Sequence, residues 1–408
     1  MALQFILGPS GAGKSEYIYE DIIRRTMQDE RENVIVLVPE QYSLEIQRKL
    51  VQKHPRGGSF QIDVIGFNRL AYRIFDELHI KPKKVLEDFG KSMLLRKAAQ
   101  EHKEELSLYA GSLDKAGFID EAKSLMSEIY QYDIPRERLR EALQKLDDSE
   151  EARVLARKLQ DMLVIFDAFE EKKGQSFIVA EQMLELLTAA AEQSELIAGS
   201  EIVLDGFTGF TPIQLNLISV LLRRAKKVTI VLTIDAATYE KKHVAEHELF
   251  ALTKQTIEHL LLTAEQAHVV VEPALFLGKD GCKRWSKGHP LAHLEQNLFR
   301  YPYRVGKDEE QAITITAYDT PAQELTGVAE QIRTLVMEQG YRYRDIAIVS
   351  GNLEETAEFA KRILPQYEIP YFIDMTMPVK NHPCVDALTH VLRIVDENFS
   401  YDSGFAFL

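Results

Sequence analysis

Eight residues near the start of the chain have the types and spacing to hold a phosphate. Gly8-Pro9-Ser10-Gly11-Ala12-Gly13-Lys14-Ser15 satisfies every fixed position of the pattern Gly-x-x-x-x-Gly-Lys-Ser/Thr. Glycines let backbone N–H groups face phosphate oxygens with no side chain in the way. A helix starting at the end of such a loop adds its positive end to the anion site. In that chemistry Lys14 reaches the β- and γ-phosphates of a nucleotide, and the Ser15 hydroxyl ligates Mg²⁺. A chance match in a chain of this length is on the order of 1%. This one also falls between an apolar run and a helix-compatible stretch, so the sequence predicts a nucleotide-phosphate site.

Such a loop needs a carboxylate at the end of a neighbouring strand to hold the metal shell. Asp205 closes the apolar run Ile202-Val203-Leu204 and is the candidate. The alternative is a turn aspartate before Gly206, a common turn pair. Hydrolysing motors usually place a water-activating Glu directly after this acid, and here the next residue is Gly206. Binding of ATP is therefore better supported than its hydrolysis. Glu40, after Pro39 at another strand end, is a carboxylate whose position the sequence leaves open.

Other chemistry is weakly supported. The two cysteines, Cys282 and Cys384, are too few and too far apart for a disulfide framework or a cysteine metal site. His243 and His247 are four apart on an expected helix, but no third ligand is evident, so both are read as surface residues. The run Arg223-Arg224-Ala225-Lys226-Lys227 reads as an exposed helix end before a strand. Lys81, Lys83 and Lys84 around Pro82 read as a solvated turn.

The elements that must position the loop follow from apolar patterning. Strands are predicted at Leu3–Leu7, Val34–Val38, Phe60–Ile65, 201–205 and 228–232, alternating with helical stretches, which argues for a mostly parallel sheet. From about 83 to 195 the pattern is helical, with Phe118, Ala122, Leu125 and Ile129 on one face and Leu155, Leu159, Met162, Phe166 and Phe169 on another. Only Phe177-Ile178-Val179 hints at a strand there. The stretch 278–310 is rich in Gly, Lys, His and Pro and reads as a linker or surface loop. A second α/β series is predicted after it, with strands at 312–317, 346–349 and 371–373 and helices near 321–338 and 353–364.

Composition sets the outer limits. The chain has 408 residues, 45% of them hydrophobic and 27% charged, and a net charge of −14. That suits a globular protein of two or three domains. No apolar run approaches the roughly 20 residues of a membrane span, and no signal peptide is evident, so a cytoplasmic location is expected. The first 75 residues hold 10 Lys+Arg and 9 Asp+Glu. The negative excess therefore lies outside the loop region, which is permissive for an anionic ligand. The sequence closes on the apolar run Phe405-Ala406-Phe407-Leu408, which predicts an N-terminal part of a longer protein.

Four groups of residues carry a family resemblance: Gly8–Ser15; Val36-Leu37-Val38-Pro39-Glu40-Gln41; Gly66-Phe67-Asn68-Arg69-Leu70-Ala71-Tyr72-Arg73; and Asp205-Gly206-Phe207-Thr208-Gly209-Phe210-Thr211-Pro212. In this order they resemble the N-terminal part of the AddB family, which belongs to the bacterial ATP-dependent helicase/deoxyribonuclease AddAB. Tyr341–Val349 and Ile369-Pro370-Tyr371-Phe372 resemble its second helicase-like lobe. The resemblance implies an α/β fold: a P-loop NTPase (RecA-like) domain made of 1–82 and 196–277, an all-helical insertion at 83–195, a linker at 278–310, and a partial second RecA-like lobe at 311–408. It further implies ATP and Mg²⁺ as ligands, an AddA-like partner that supplies the motor, and DNA as substrate. Double-strand-break resection and recognition of the Chi sequence are the implied roles. The family's nuclease domain and cysteine-ligated 4Fe-4S cluster are expected only in a C-terminal region beyond these residues.

Departures from an active superfamily 1 helicase are visible. Only seven residues precede Gly8, leaving no place for the upstream adenine-contacting Gln. The acid pair is reduced to Asp205. Thr233-Ile234-Asp235-Ala236-Ala237-Thr238 lacks the γ-phosphate-sensing Gln, and the arginine finger is expected beyond these residues. Phe67, Arg69 and Tyr72 occupy the place where helicases contact single-stranded DNA; the alternative is a helix that packs Phe67 and Tyr72 inward and leaves Arg69 solvated. The main expectation is thus an ATP-binding subunit with impaired motor chemistry. A competent ATPase motor, a P-loop small-molecule kinase and a structural scaffold are the alternatives.

Overall fold

The computed structural model describes the chain except residues 30, 82, 114, 147–148, 175, 279–281, 287, 308–311, 376–381 and 408, and the side chain of residue 116. Pro82 and Leu408 lie outside the described residues. The chain divides into two compact units, Met1–Ala312 and Ile313–Leu408.

The first unit is built on strands whose apolar runs are continuous because both sheet faces are covered. β1 (Ala2–Gly8), β2 (Asn33–Leu37) and β3 (Ile62–Ile65) are followed after a long helical block by β6 (Ser200–Leu204) and β7 (Lys227–Thr233). They lie in the order β3-β2-β6-β7-β1, all parallel. Alternate residues serve opposite faces. Ile6, Val34, Val36, Val203 and Val231 pack with Ile18, Ile22, Ile46 and Leu50 of α1 (Lys14–Gln28) and α2 (Ser43–Lys53). Leu3, Phe5, Leu7, Ile35, Leu37, Ile202 and Leu204 face the other side. There they meet α3 (Phe67–Glu77) and the later helices of this unit.

The block between β3 and β6 is not wholly helical. It contains α4 (Asp88–Glu101), α5 (Ala116–Gln131), α6 (Arg136–Gln144), α7 (Glu150–Lys173), α8 (Ala180–Ala191) and α9 (Glu195–Ala198). It also contains β4 (Lys84–Leu86) and β5 (Phe177–Val179), paired in parallel as a separate two-stranded sheet. This corrects the all-helical expectation. Three-residue strands are too short to display a period, and Lys84 reads as a turn lysine until its partner is seen. Ala122, Met162, Phe166 and Phe169 form a core of their own with Leu95 and Leu113. Leu125 and Leu155, expected on the same faces, are exposed. Buried Asp161 accepts from the amides of Ser107, Leu108 and Tyr109, which fixes the loop between α4 and α5.

After β6 come α10 (Pro212–Arg224), β7, α11 (Ala236–Glu240) and α12 (Ala251–Gln266). The basic run at 223–227 ends α10 and opens β7 as expected, with Arg223 paired to Glu192 and Lys227 to Glu272. His243 and His247 lie between α11 and α12, not on a helix. Two short strands are unforeseen: β8 (Val270–Val271) and β9 (Leu275–Phe276) both pair with β1, one behind the other. Pro273 between them has no N–H to donate, so the edge strand is broken in two. Glu272 and Leu277 each donate an amide to β1, from Leu3 to Leu7 along the strand. The chain thereby travels along β1 to its carboxyl end, and α13 (Pro290–Asn297) follows.

The second unit holds α14 (Pro321–Gln339), α15 (Leu353–Ile363), α16 (Pro383–Asp396) and α17 (Tyr401–Phe407). Leu325, Ala329, Ile332, Ala360, Ile363 and Ile369 form its core. The two expected helices are present. The three expected strands are not: no described residue in 312–317, 346–349 or 371–373 belongs to a ladder. Each segment is extended in pattern, but among the described residues none is assigned to a strand. Ile315, Val349 and Phe372 face solvent instead.

Candidate nucleotide-binding site

The glycine loop leaves β1 at Gly8 and enters α1 at Lys14. Gly11 and Gly13 have φ of 71° and 84°, a region that L side chains reach only with strain, so these positions require glycine. Gly13 caps the helix without a side-chain hydrogen bond. The amides of the first turn are therefore open to an incoming oxygen. Lys14 Nζ donates to the carbonyls of Gly8 and Pro9, at 2.9 and 2.8 Å, and so lies folded against the loop. The Ser15 hydroxyl is exposed.

Asp205 stands at the carboxyl end of β6, with only β7 between that strand and β1. It is 5% exposed. One carboxylate oxygen accepts from the Tyr19 hydroxyl at 2.6 Å, the other from the Gly206 amide at 2.9 Å. Tyr19 is placed by α1, just over one turn beyond Lys14, and no sequence signal links it to Asp205. Burial, reinforced by Asp205, pushes the Tyr19 phenol far above its ordinary range, so it remains a donor at any working pH. Burial also holds the Lys14 ammonium below its ordinary value, opposed by the electrostatic influence of Asp205 and Glu295. Tyr19→Phe removes a hydrogen bond to a buried charge and is expected to cost about 1.5–3 kcal/mol. Denaturant unfolding of the variant checks this.

Part of the stretch read as a linker or surface loop lies against the glycine loop. Cys282 Sγ donates to the Ser10 carbonyl at 3.4 Å, and the Arg284 amide donates to the Gly11 carbonyl at 3.2 Å. A Cβ at Gly11 would clash with Cys282 and meet Arg284 Cβ at 3.1 Å; one at Gly13 would meet Lys283 Cδ at 3.1 Å. Glu295 of α13 accepts from the Ser10 amide, and burial raises its pKa. Arg300 pairs with Asp235 at 2.9 Å. Composition alone marks this segment as punctuation; the signal that could have corrected it is Val269-Val270-Val271, which starts the run alongside β1.

The other candidates separate. The Glu40 carboxylate accepts from the Asn68 amide at the start of α3, at 3.0 Å. Phe67 turns inward and packs in a tilted chain with Phe207 and Phe210, with ring centroids 5.5 and 5.3 Å apart. Arg69 and Tyr72 are exposed on the outer side of α3. Among the described residues no group of His, Cys, Asp or Glu forms a metal cluster, and no helix is long and apolar enough to cross a membrane.

Fold and site thus define an α/β protein whose mostly parallel sheet brings a glycine loop and a buried acid to the same edge. A protein-family model described as "ADDB, N-terminal" matches residues 5–295. The chain belongs to that family. It is 38% identical over its whole length to the B subunit of the ATP-dependent helicase/deoxyribonuclease of Lachnoclostridium phytofermentans. It is 31% and 32% identical to the proteins of the same name from Clostridium novyi and Alkaliphilus metalliredigens. The chain spans 36% of the first relative's length and 35% of the other two.

Proposed function

We propose that this chain is the nucleotide-binding, helicase-like part of an AddB protein of an ATP-dependent helicase/deoxyribonuclease, and that it holds ATP with little or no hydrolysis. In this reading residues 1–82 and 196–277 form a RecA-like P-loop lobe, 83–195 is its insertion, and the second unit begins a second lobe. The observation that carries it is the pairing of an uncapped glycine loop bearing Lys14 with Asp205 at a strand end, followed by a residue that cannot be a base. The residues fit the ligand: glycine-lined backbone for phosphates, Ser15 and Asp205 for Mg²⁺. The metal would supply charge neutralisation between the phosphates. Lys14 would exchange its two carbonyl acceptors for phosphate oxygens, and Tyr19 would hold the Asp205 carboxyl group oriented.

The relatives' name supports the wider role. In this reading the chain acts in the cytoplasm with an AddA-like motor protein on DNA ends, in resection for recombinational repair. Arg69 and Tyr72 on α3 contact single-stranded DNA, Phe67 supports them from below, and the bound nucleotide steadies the loops during Chi recognition. Nucleotide binding and turnover, measured with and without the partner and DNA, test this: tight binding with turnover no faster than background is expected.

A second reading, a competent DNA-dependent ATPase, draws on Glu295. Its carboxylate acts on Lys14 and its pKa is raised by burial. Glu295→Gln would abolish DNA-stimulated turnover under that reading. Under ours there is no such turnover to lose.

A further inference from the structure

We infer that Lys283 and Arg284, carried on the segment Cys282–Trp285 against the glycine loop, are further phosphate-binding residues for a nucleoside polyphosphate held at Gly8–Ser15. This deepens the nucleotide reading of the loop and rests on it.

Three observations support the assignment. The segment is fastened to the loop itself: Cys282 to the Ser10 carbonyl, Arg284 to the Gly11 carbonyl, and Glu295 downstream to the Ser10 amide. It approaches so closely that a Cβ at Gly11 would clash with Cys282 and one at Gly13 would press on the Lys283 side chain at 3.1 Å. Whatever occupies the loop is therefore within side-chain reach of residues 283 and 284. The second observation concerns charge. Lys283 and Arg284 are exposed, and among the described residues neither has a carboxylate partner. Arg25, by contrast, is paired with Glu201 and Lys227 with Glu272. The third is topological: β8 and β9 run along β1 and deliver this segment to the carboxyl edge, where the loop opens.

The chemistry follows. A nucleoside triphosphate brings about four negative charges to a loop that offers one lysine and a metal ion. Two cations on an adjoining segment, without a carboxylate partner among the described residues, reduce the charge left uncompensated, and Arg284, which lies over the Trp285 ring, can do so through two parallel N–H bonds. Their contribution must grow with the number of phosphates, so the segment acts as a gauge of phosphate-chain length. Because the same segment carries Cys282, occupancy of the site should also change access to that thiol.

The test uses the intact protein with Cys384→Ser as background, leaving Cys282 as the reporter thiol. ATP, ADP and AMP affinities are compared for four forms: this background, the double variant Lys283→Ala/Arg284→Ala, Lys14→Ala, and the control Lys97→Ala/Lys158→Ala, which removes two exposed cations from the helical block. The expected result is a loss of at least about tenfold in ATP affinity for the 283/284 variant, or 1.4 kcal/mol. The loss should be smaller for ADP and smallest for AMP, with the control unchanged. Saturating ATP with Mg²⁺ should slow alkylation of Cys282 severalfold. Circular dichroism distinguishes lost contacts from lost fold, which is not expected at exposed positions. Unchanged ATP affinity in the 283/284 variant, alongside loss in Lys14→Ala, overturns this inference alone. An equal loss in the control, or alkylation indifferent to ATP, overturns it as well. No ATP binding by the unaltered protein overturns the nucleotide reading and this inference together.

Discussion

Lys14→Ala is expected to weaken ATP binding by about 100-fold or more, since a charge-assisted bond to phosphate contributes about 1.5–3 kcal/mol and the ammonium can make two. Titration calorimetry on the variant and the unaltered protein measures it. The fold should survive. Lys14 is half-buried, and its ammonium donates to two loop carbonyls and not to the sheet core. A pH signature accompanies the loss. Because burial lowers the Lys14 pKa from 10.5, the unfolded chain holds this proton more tightly than the folded one. Between the lowered value and 10.5 the unfolded state therefore binds more protons, and stability rises with pH. The variant should lack that slope. Unfolding midpoints measured across the alkaline range give the comparison.

Gly206→Glu is the second large effect, and its interest lies in what it fails to restore. A hydrolysing motor needs a carboxylate after the strand-end acid, so the substitution looks like a repair. The backbone forbids it. Gly206 has φ of 83°, and a Cβ there would already touch the Pro39 ring at 3.4 Å. A glutamate at this position costs about 1–2 kcal/mol in backbone strain. Its carboxylate would leave from a left-handed residue and not from the end of a strand. The expected outcome is a less stable protein whose ATP turnover stays at background, read from denaturant unfolding and phosphate release. Turnover at motor rates in this variant would mean that the missing carboxylate alone had silenced the site.

How much of this is legible in the sequence differs by element. β1, β2, β6 and β7 announce themselves because strands buried on both faces are written as unbroken apolar runs. Gly8–Ser15 is legible as the turn between β1 and α1 because its positive-φ positions at Gly11 and Gly13 call for glycine. Asp205 follows from its place at the end of such a run. Tyr19 is not legible, because its partner lies 186 residues away and only the parallel stacking of β1, β7 and β6 brings the two together. The segment 282–300 misleads for a similar reason. Glycine, lysine and histidine are the composition of a surface loop, and nothing local states that the surface in question is the glycine loop. β8 and β9 are hidden by Pro273, and β4 by its length. The second unit shows the converse error: 346–349 and 371–373 have strand-like residues, yet a strand exists only where another lies beside it.

Recovery of nucleotide from the protein tests the central claim most directly. Radiolabelled ATP is bound with Mg²⁺, the complex is separated from free nucleotide, and the bound species is identified after incubation with and without single-stranded DNA. The account predicts one equivalent of unhydrolysed ATP per chain, dependent on Lys14 and unaffected by DNA. Recovery of ADP and phosphate at rates that DNA accelerates, or of no nucleotide at all, would contradict it.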